Sequence, residues 1–341
     1  MVTKDAVMWY NLLMRKLYYA TFENGFNEIV KQIIKKIDRN SMIKTLYDDA
    51  VLFYADEHFA FTNTCFKNFY LVLDDIKKEG VGAINAEMKH LLEKKNFKIA
   101  FPKEVSTFKF VIQKEKDNVL VDSKLKNAVE IMLKRVTKMS ISYLAGQAEL
   151  CLLSKADGTT MLMKKLNKPC EFSKIELPNM LSPHIAYVVN FLSEPSVGEV
   201  VLDPFASSSL IAYTRSLCFK KANVIAAATD EMAVSELKKQ AKSLKDKSFS
   251  VLKYEFLEDN FPIKFIDKIV TELPTISFDT MMKLADVYSA FFQKAHELGV
   301  KIISVVVPKS HDIVRFIQGK YDIDKQINMK KSFVFKLKIK G

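Results

Sequence analysis

An α/β chain is what the sequence predicts, with a doubly wound parallel sheet over residues 197–341 and α+β units before it. Three observations lead there. The 341 residues exceed one ordinary core, since domains cluster near roughly 100–200 residues. Short Val- and Ile-rich runs alternate with amphipathic helices after residue 197, the pattern of strands buried on both faces. Before residue 170, strands that alternate apolar and polar residues are interleaved with helices. With 49% hydrophobic and 27% charged residues, the composition supports a packed core and excludes a disordered chain.

The elements follow in order. KLYYATF predicts a strand, and NGFNEIVKQIIKKI an amphipathic helix with Phe26, Ile29, Ile33, Ile34 and Ile37 on its apolar face. DDAVLFYAD is a second strand, and HFAFTNTCFKNFYLVLDDIKKEG reads as a helix followed by an extended segment. AINAEMKHLLEKK is a short helix. FKIAFPK and FKFVIQK then read as strands, SKLKNAVEIMLKRV as a helix, and AELCLLSKADGTTMLMKKL as a hairpin turning at Asp157-Gly158. Pro169, Pro178, Pro183 and Pro195 mark a connection, within which Ser182-Pro183 supplies an N-cap and first helical residue for HIAYVVNFL. EVVLDPF, VIAAATD, VLKYEFLE, DKIVTEL and KIISVVVP are the strands of the last region, separated by helices from LIAYTRSL to AFFQKAHELG. HDIVRFIQ reads as a helix, and the closing pair YDIDKQI and SFVFKLKIK must form a hairpin, so the last strand runs antiparallel. This gives units at 1–93 and 94–170, a linker with a helix at 171–196, and the parallel-sheet domain at 197–341.

Charge is concentrated in the middle. Lys and Arg exceed Asp and Glu by 52 to 40 over the chain, a net +12, and residues 94–170 hold sixteen basic against seven acidic residues. Such a segment suits a polyanion, because each neutralised phosphate releases counterions. Lys94, Lys95 and Lys98 at one end and Lys164, Lys165 and Lys168 at the other form one basic face if the ends of the segment meet. The four cysteines are widely separated and the five histidines complete no zinc spacing, so no metal is expected and the thiols suit a reducing compartment. No apolar run approaches the roughly 18–20 residues that span a bilayer. A cytoplasmic location without membrane association is the expectation.

In open α/β sheets ligands bind beyond the carboxyl ends of the strands. The first strand of the last region ends in Asp203-Pro204-Phe205-Ala206-Ser207-Ser208-Ser209 and opens a helix. The second ends at Asp230, placed to accept both hydroxyls of a ribose or to cap the helix behind it. The third is followed by Glu258, a contact for an adenine amine. The fourth runs into Glu272-Leu273-Pro274-Thr275.

Taken together, this layout resembles the THUMP-containing class I methyltransferases, a family that uses S-adenosylmethionine to methylate the N2 amine of guanosine in tRNA or rRNA. Residues 1–93 resemble its ferredoxin-like domain, 94–170 its RNA-binding THUMP domain, and 197–341 its Rossmann-like catalytic domain. The resemblance implies S-adenosylmethionine as cofactor and RNA, above all tRNA, as partner. DPFASSSLIA occupies the family's cofactor loop, which implies cofactor contacts from Asp203, Phe205, Ser207 and Ser209, with Asp230 on the ribose and Glu258 near the base. Glu272-Leu273-Pro274-Thr275 stands at the family's Asn/Asp-Pro-Pro-Tyr catalytic tetrapeptide. Glu272 and Pro274 are then catalytic positions, and Phe278 replaces the stacking aromatic absent at Thr275.

Two departures shape the functional expectation. The loop's glycines are replaced by Ser207 and Ser209, where a Cβ costs roughly 1 kcal/mol at positive φ or occupies ligand space. In the tetrapeptide only Pro274 agrees. Two readings follow: an RNA methyltransferase with a divergent site, or an RNA-binding pseudoenzyme that serves as a subunit of an active enzyme.

Overall fold

The computed structural model describes residues 15–57, 59, 65–77, 83–94, 97–166, 181–206, 210–219, 221–244, 248–258, 260–275 and 284–340. By packing, the chain divides into two compact units, one of residues 1–21 and 34–168, the other of 22–33 and 169–341.

The first unit is built on one sheet. Strands β1 (Lys16–Thr21), β2 (Met42–Leu46), β3 (Ala50–Ala55), β4 (Asn68–Lys77), β5 (Thr107–Lys114), β6 (Asp117–Asn118), β7 (Ser140–Ile141), β8 (Ala148–Ser154) and β9 (Thr159–Lys165) contribute. Their order is β2-β3-β1-β4-β9-β8-β5-β6, with β7 beside β5. β4 and β9 pair antiparallel, Tyr70 opposite Lys165, so the early strands and the basic segment share hydrogen bonds. Tyr18, Phe53, Phe59, Phe66 and Phe69 form an aromatic cluster, with Tyr18 stacked on Phe69 at 5.1 Å between ring centroids. Helices α2 (Ala83–Glu93) and α3 (Ser123–Thr137) bury Met88, Leu91, Val129 and Leu133 against Phe108, Leu150 and Leu162 of the sheet. α1 (Asn27–Ile37), which belongs to the second unit as far as residue 33, buries Ile29, Val30, Ile33 and Ile34, as its period predicts.

The hairpin at Asp157-Gly158 forms as expected, with Gly158 at φ +82°. One expectation in this unit fails, and one strand is missed. FKIAFPK forms no strand: residues 97–103 are irregular, and the Ala100 carbonyl accepts from Lys164 instead of joining a ladder. β2 went unread because its alternation is short and broken by a register shift between Ile43 and Thr45.

The second unit contains α4 (Pro183–Leu192), β10 (Val200–Asp203), α5 (Leu210–Cys218), β11 (Asn223–Ala228), α6 (Glu231–Leu244), β12 (Phe249–Lys253) and β13 (Lys268–Glu272). It continues through α7 (Leu284–Glu297), β14 (Ile302–Pro308), α8 (Val314–Ile317), β15 (Tyr321–Asn328) and β16 (Ser332–Ile339). The sheet order is β12-β11-β10-β13-β14-β16-β15. β10 to β14 are parallel where they pair, whereas β16 lies antiparallel between β14 and β15, as the closing hairpin requires. Ser182 and Pro183 start α4 as read, although the Ser182 hydroxyl meets the His184 ring at 3.2 Å instead of capping the helix.

At the amino ends of β10 and β13 sits a buried ionic group. Glu199, just before β10, pairs with Arg215 of α5 and, at 2.6 Å, with Lys268 at the start of β13. Arg215 is fully buried and also donates to the Asn190 carbonyl at 3.1 Å and the Ser193 hydroxyl at 2.9 Å. Burial pulls its pKa down to about 10. Removing one partner from a buried pair leaves the other charge uncompensated, at a cost of about 3–5 kcal/mol. Arg215→Met should therefore lower the unfolding free energy by about 3 kcal/mol or more, and, because Glu199 also holds Lys268, the Arg215→Met/Glu199→Gln double variant should lose less than the sum of the two single losses. Denaturant titration of the single and double variants checks this, and strictly additive losses would contradict it.

Candidate active site

The direction of strand addition reverses between β10 and β13, and in such sheets the crevice at the reversal is where ligands bind. β10 and β13 lie side by side with Val201 opposite Lys268 and Leu202 opposite Ile269. Asp203 ends β10, and its carboxylate, 4% exposed, accepts the Thr271 hydroxyl of β13 at 2.7 Å. Burial pushes the Asp203 pKa up to about 7, opposed by the Thr271 hydroxyl and the Phe205 N–H, with the charge of Glu272 adding to the rise. The following loop is tied to β11 by the Ala206 N–H on the Ala227 carbonyl.

Beyond these strand ends a pocket is lined by Pro204, Phe205, Ala228, Thr229, Asp230, Ala233 and Glu255. Phe205 forms one wall and packs against Phe291 at 5.5 Å. Asp230 caps α6: its Oδ2 accepts from the Ala233 N–H at 2.7 Å and its carbonyl from the Val234 N–H. No hydrogen bond to its Oδ1 is formed among the described residues. Glu258 is exposed, and its carbonyl accepts from Lys294. Among the described residues the acid from this connection that lines the pocket is Glu255, which the sequence analysis did not single out. Ser207 and Ser209 lie outside the described residues.

Glu272 closes β13. Its side chain is half-buried and has no hydrogen bond or ion pair among the described residues, and burial pushes its pKa up to about 7. The chain then leaves the sheet with the Leu273 N–H on the Val306 carbonyl. Pro274 is buried, and its carbonyl accepts the Tyr288 hydroxyl from α7 at 2.8 Å. Tyr288 is buried and also meets His311 Nδ1 at 3.5 Å. No motif marked Tyr288, which in sequence is one apolar-face residue of an amphipathic helix. Phe278 lies outside the described residues.

The lysines read as one basic face are engaged within the first unit. Lys94 pairs with Asp74 at 2.5 Å. Lys164 donates to the Ala100 carbonyl at 2.6 Å and lies 4.4 Å from the Phe101 ring centroid, with burial lowering its pKa. Lys165 pairs with Glu149 at 3.4 Å. Lys98 is exposed, and Lys95 and Lys168 lie outside the described residues. A different basic surface is displayed by α3. Ser123, Lys124, Asn127, Ile131, Lys134 and Arg135 are its exposed positions, followed by exposed Lys138 at its C-cap, and none of the four cations has an ion pair among the described residues. Beside them Tyr143 and Leu144 are 70% and 91% exposed, with the Tyr143 hydroxyl on Glu130 of the helix. Sequence periodicity gives this stripe, but the long-range acids that engage the other lysines cannot be read from it.

Among the described residues no group of His, Cys, Asp and Glu could hold a metal ion, and no helix is long and apolar enough to cross a membrane. No family model and no curated protein matches the sequence. Solved structures match in fold. TrmN from Thermus thermophilus aligns with a TM-score of 0.78 at 15% identity, over 95% of this chain and 99% of that one. A protein from Listeria monocytogenes described as a predicted N6-adenine-specific DNA methylase aligns at 0.68, with 10% identity, 96% of this chain and 97% of its own. SMU.472, assigned as a methyltransferase and solved in complex with SAH, aligns at 0.67 with 10% identity, over 96% and 99%. The α/β fold of these methyltransferase structures therefore extends over nearly the whole chain.

The buried carboxyl at the centre of the site has a pH signature. The Asp203 pKa is raised from 3.8 to about 7 in the fold, so its contribution to stability is full below about 4 and is lost as pH rises through about 7. Asp203→Asn keeps an acceptor for Thr271 and removes that titration. From pH 5 to pH 8 the urea midpoint of the natural protein should fall further than that of the variant; equal falls would contradict the assignment.

Proposed function

We infer that this protein is an S-adenosylmethionine-dependent RNA methyltransferase whose acceptor is an exocyclic amine, with the N2 amine of a tRNA guanosine as its target. The observation that carries this reading is the placement of the Asp230 pocket and the Glu272-Leu273-Pro274-Thr275 segment at the carboxyl ends of β11 and β13, on either side of β10 at the switch point. The described wall suits a nucleoside. Asp230 Oδ1 is available for a ribose diol, Pro204, Phe205, Ala228 and Ala233 offer apolar surface to a flat base, and Glu255 offers an acceptor for its amine. Bound there, the cofactor supplies an electrophilic methyl group.

The chain's own residues do the rest. Tyr288 holds the Pro274 carbonyl and so fixes the turn that follows Glu272. Glu272, at the strand end, accepts a hydrogen bond from the substrate amine and orients its lone pair. Asp203 and Thr271 keep the two strand ends in register from below. The exposed cations of α3, with Tyr143 and Leu144 beside them, suit phosphates and an unstacked base, and residues 94–170 serve as the RNA-binding unit. The neighbour solved in complex with SAH supports the cofactor.

A second reading, an RNA-binding pseudoenzyme working with a catalytic partner subunit, is favoured by Ser207 and Ser209 in the cofactor loop and by the divergent tetrapeptide. Separate variants distinguish the two. Asp230→Ala should abolish cofactor binding and methyl transfer while leaving RNA affinity within about twofold; an enzyme that binds cofactor unchanged would contradict the first reading. Replacing Lys124, Lys134 and Lys138 together by Ala should weaken RNA binding and reduce the slope of log K against log salt by about 2–3, with cofactor binding intact. An unchanged slope would exclude α3 as the docking face.

A further inference from the structure

Glu272 carries a carboxylate where the resemblance implies an amide or a shorter aspartate, and its surroundings give that carboxylate a use. It ends β13 next to the strand that ends in Asp203. Asp203 is the charged group facing it from β10, and that carboxylate is occupied by Thr271 and the Phe205 N–H. On the other side β14 presents Val306 opposite Glu272. The Tyr288 hydroxyl of α7 donates to the Pro274 carbonyl and meets His311, before α8, at 3.5 Å. Among the described residues no cation is paired with Glu272. A half-buried carboxyl without a counter-ion, beside a second acid and at the mouth of a ligand crevice, is the environment of a proton-transfer group more than of a structural one.

We propose that Glu272 is the general base of the reaction, taking the proton that the acceptor nitrogen must lose, where an amide at this position could only accept a hydrogen bond. The inference rests on the methyltransferase reading. The nitrogen lone pair forms the new N–C bond as the carbon–sulfur bond of the sulfonium donor breaks and its electron pair stays on sulfur. As that bond forms, the nitrogen gives one proton to the Glu272 carboxylate, so no full positive charge builds up on it and the step ends with a neutral secondary amine and a protonated Glu272. Water later removes that proton. Burial has already raised the Glu272 pKa from 4.5 to about 7, which matches the group to proton transfer near neutrality. The rate should accordingly rise about tenfold per pH unit below 7 and level off above it.

Glu272→Gln is the decisive variant, because it keeps the carbonyl acceptor and abolishes the base. Transfer from S-adenosylmethionine to a pool of unmodified tRNA transcripts is measured from pH 5.5 to 8.5, with binding of S-adenosylhomocysteine and of the transcripts followed in parallel. The carboxyl resonance of Glu272 is titrated by carbon-13 NMR in the cofactor-free protein and assigned by its loss in the variant. The expected result is at least a hundredfold loss of rate with both affinities within about twofold, and a Glu272 titration near 7. A variant within threefold of the natural enzyme, with the same pH profile, would overturn the proposal in favour of a hydrogen-bond acceptor. If the natural protein transfers no methyl group to any transcript, the functional reading fails. The proposal then falls with it, whereas in an active protein a Glu272 midpoint near 4.5 overturns the proposal by itself.

Discussion

The Thr271 hydroxyl on the buried Asp203 carboxylate, 2.7 Å apart, is the contact on which the site's geometry depends. β10 and β13 are neighbours in space but not in sequence, and the sheet adds strands in opposite directions from them. Their carboxyl ends must diverge to leave a crevice, yet must stay in register for the pocket and the Glu272 turn to face the same ligand. A bond between the last residue of one strand and the penultimate residue of the other achieves both. It also supplies the buried acid with an acceptor role, without which its desolvation would go uncompensated.

Charge is distributed along these two strands with opposite logic at their ends. At the amino ends Glu199 is matched by Arg215 and Lys268, a neutralised group that joins α5 to the sheet. At the carboxyl ends Asp203 and Glu272 have no matching cation among the described residues, and Asp230 and Glu255 line the adjoining pocket. The stability held at one end offsets the desolvated acids gathered at the other. An acid-rich crevice favours a ligand carrying positive charge and hydroxyls and a reaction that releases a proton, which are the demands of methyl transfer from a sulfonium nucleoside to an amine.

Much of this was legible in sequence where the signal is local. The helix of Phe26 to Ile34, the Asp157-Gly158 hairpin, the Ser182-Pro183 start and the antiparallel last strand follow from periodicity and turn chemistry. Asp203, Asp230 and Glu272 follow from their places at strand ends. The rest depends on contacts between distant residues. Lys94 and Lys165 look like ligands for phosphate until Asp74 and Glu149 are found beside them. Residues 97–103 have the composition of a strand, but the Ala100 carbonyl is taken by a lysine 64 positions away. Choosing Glu255 over Glu258 needs the path of the chain after β12, and Tyr288 acquires its role only when α7 is laid against Pro274.

The central claim, that the carboxyl ends of β10 to β13 hold a methyl donor, is tested most directly by hydrogen–deuterium exchange with and without S-adenosylhomocysteine. The account predicts slower exchange in the loop after Asp203, at the Asp230 start of α6 and through residues 253–258. The first unit should remain unchanged. Absence of protection at millimolar ligand, or protection confined to residues outside these segments, would contradict it.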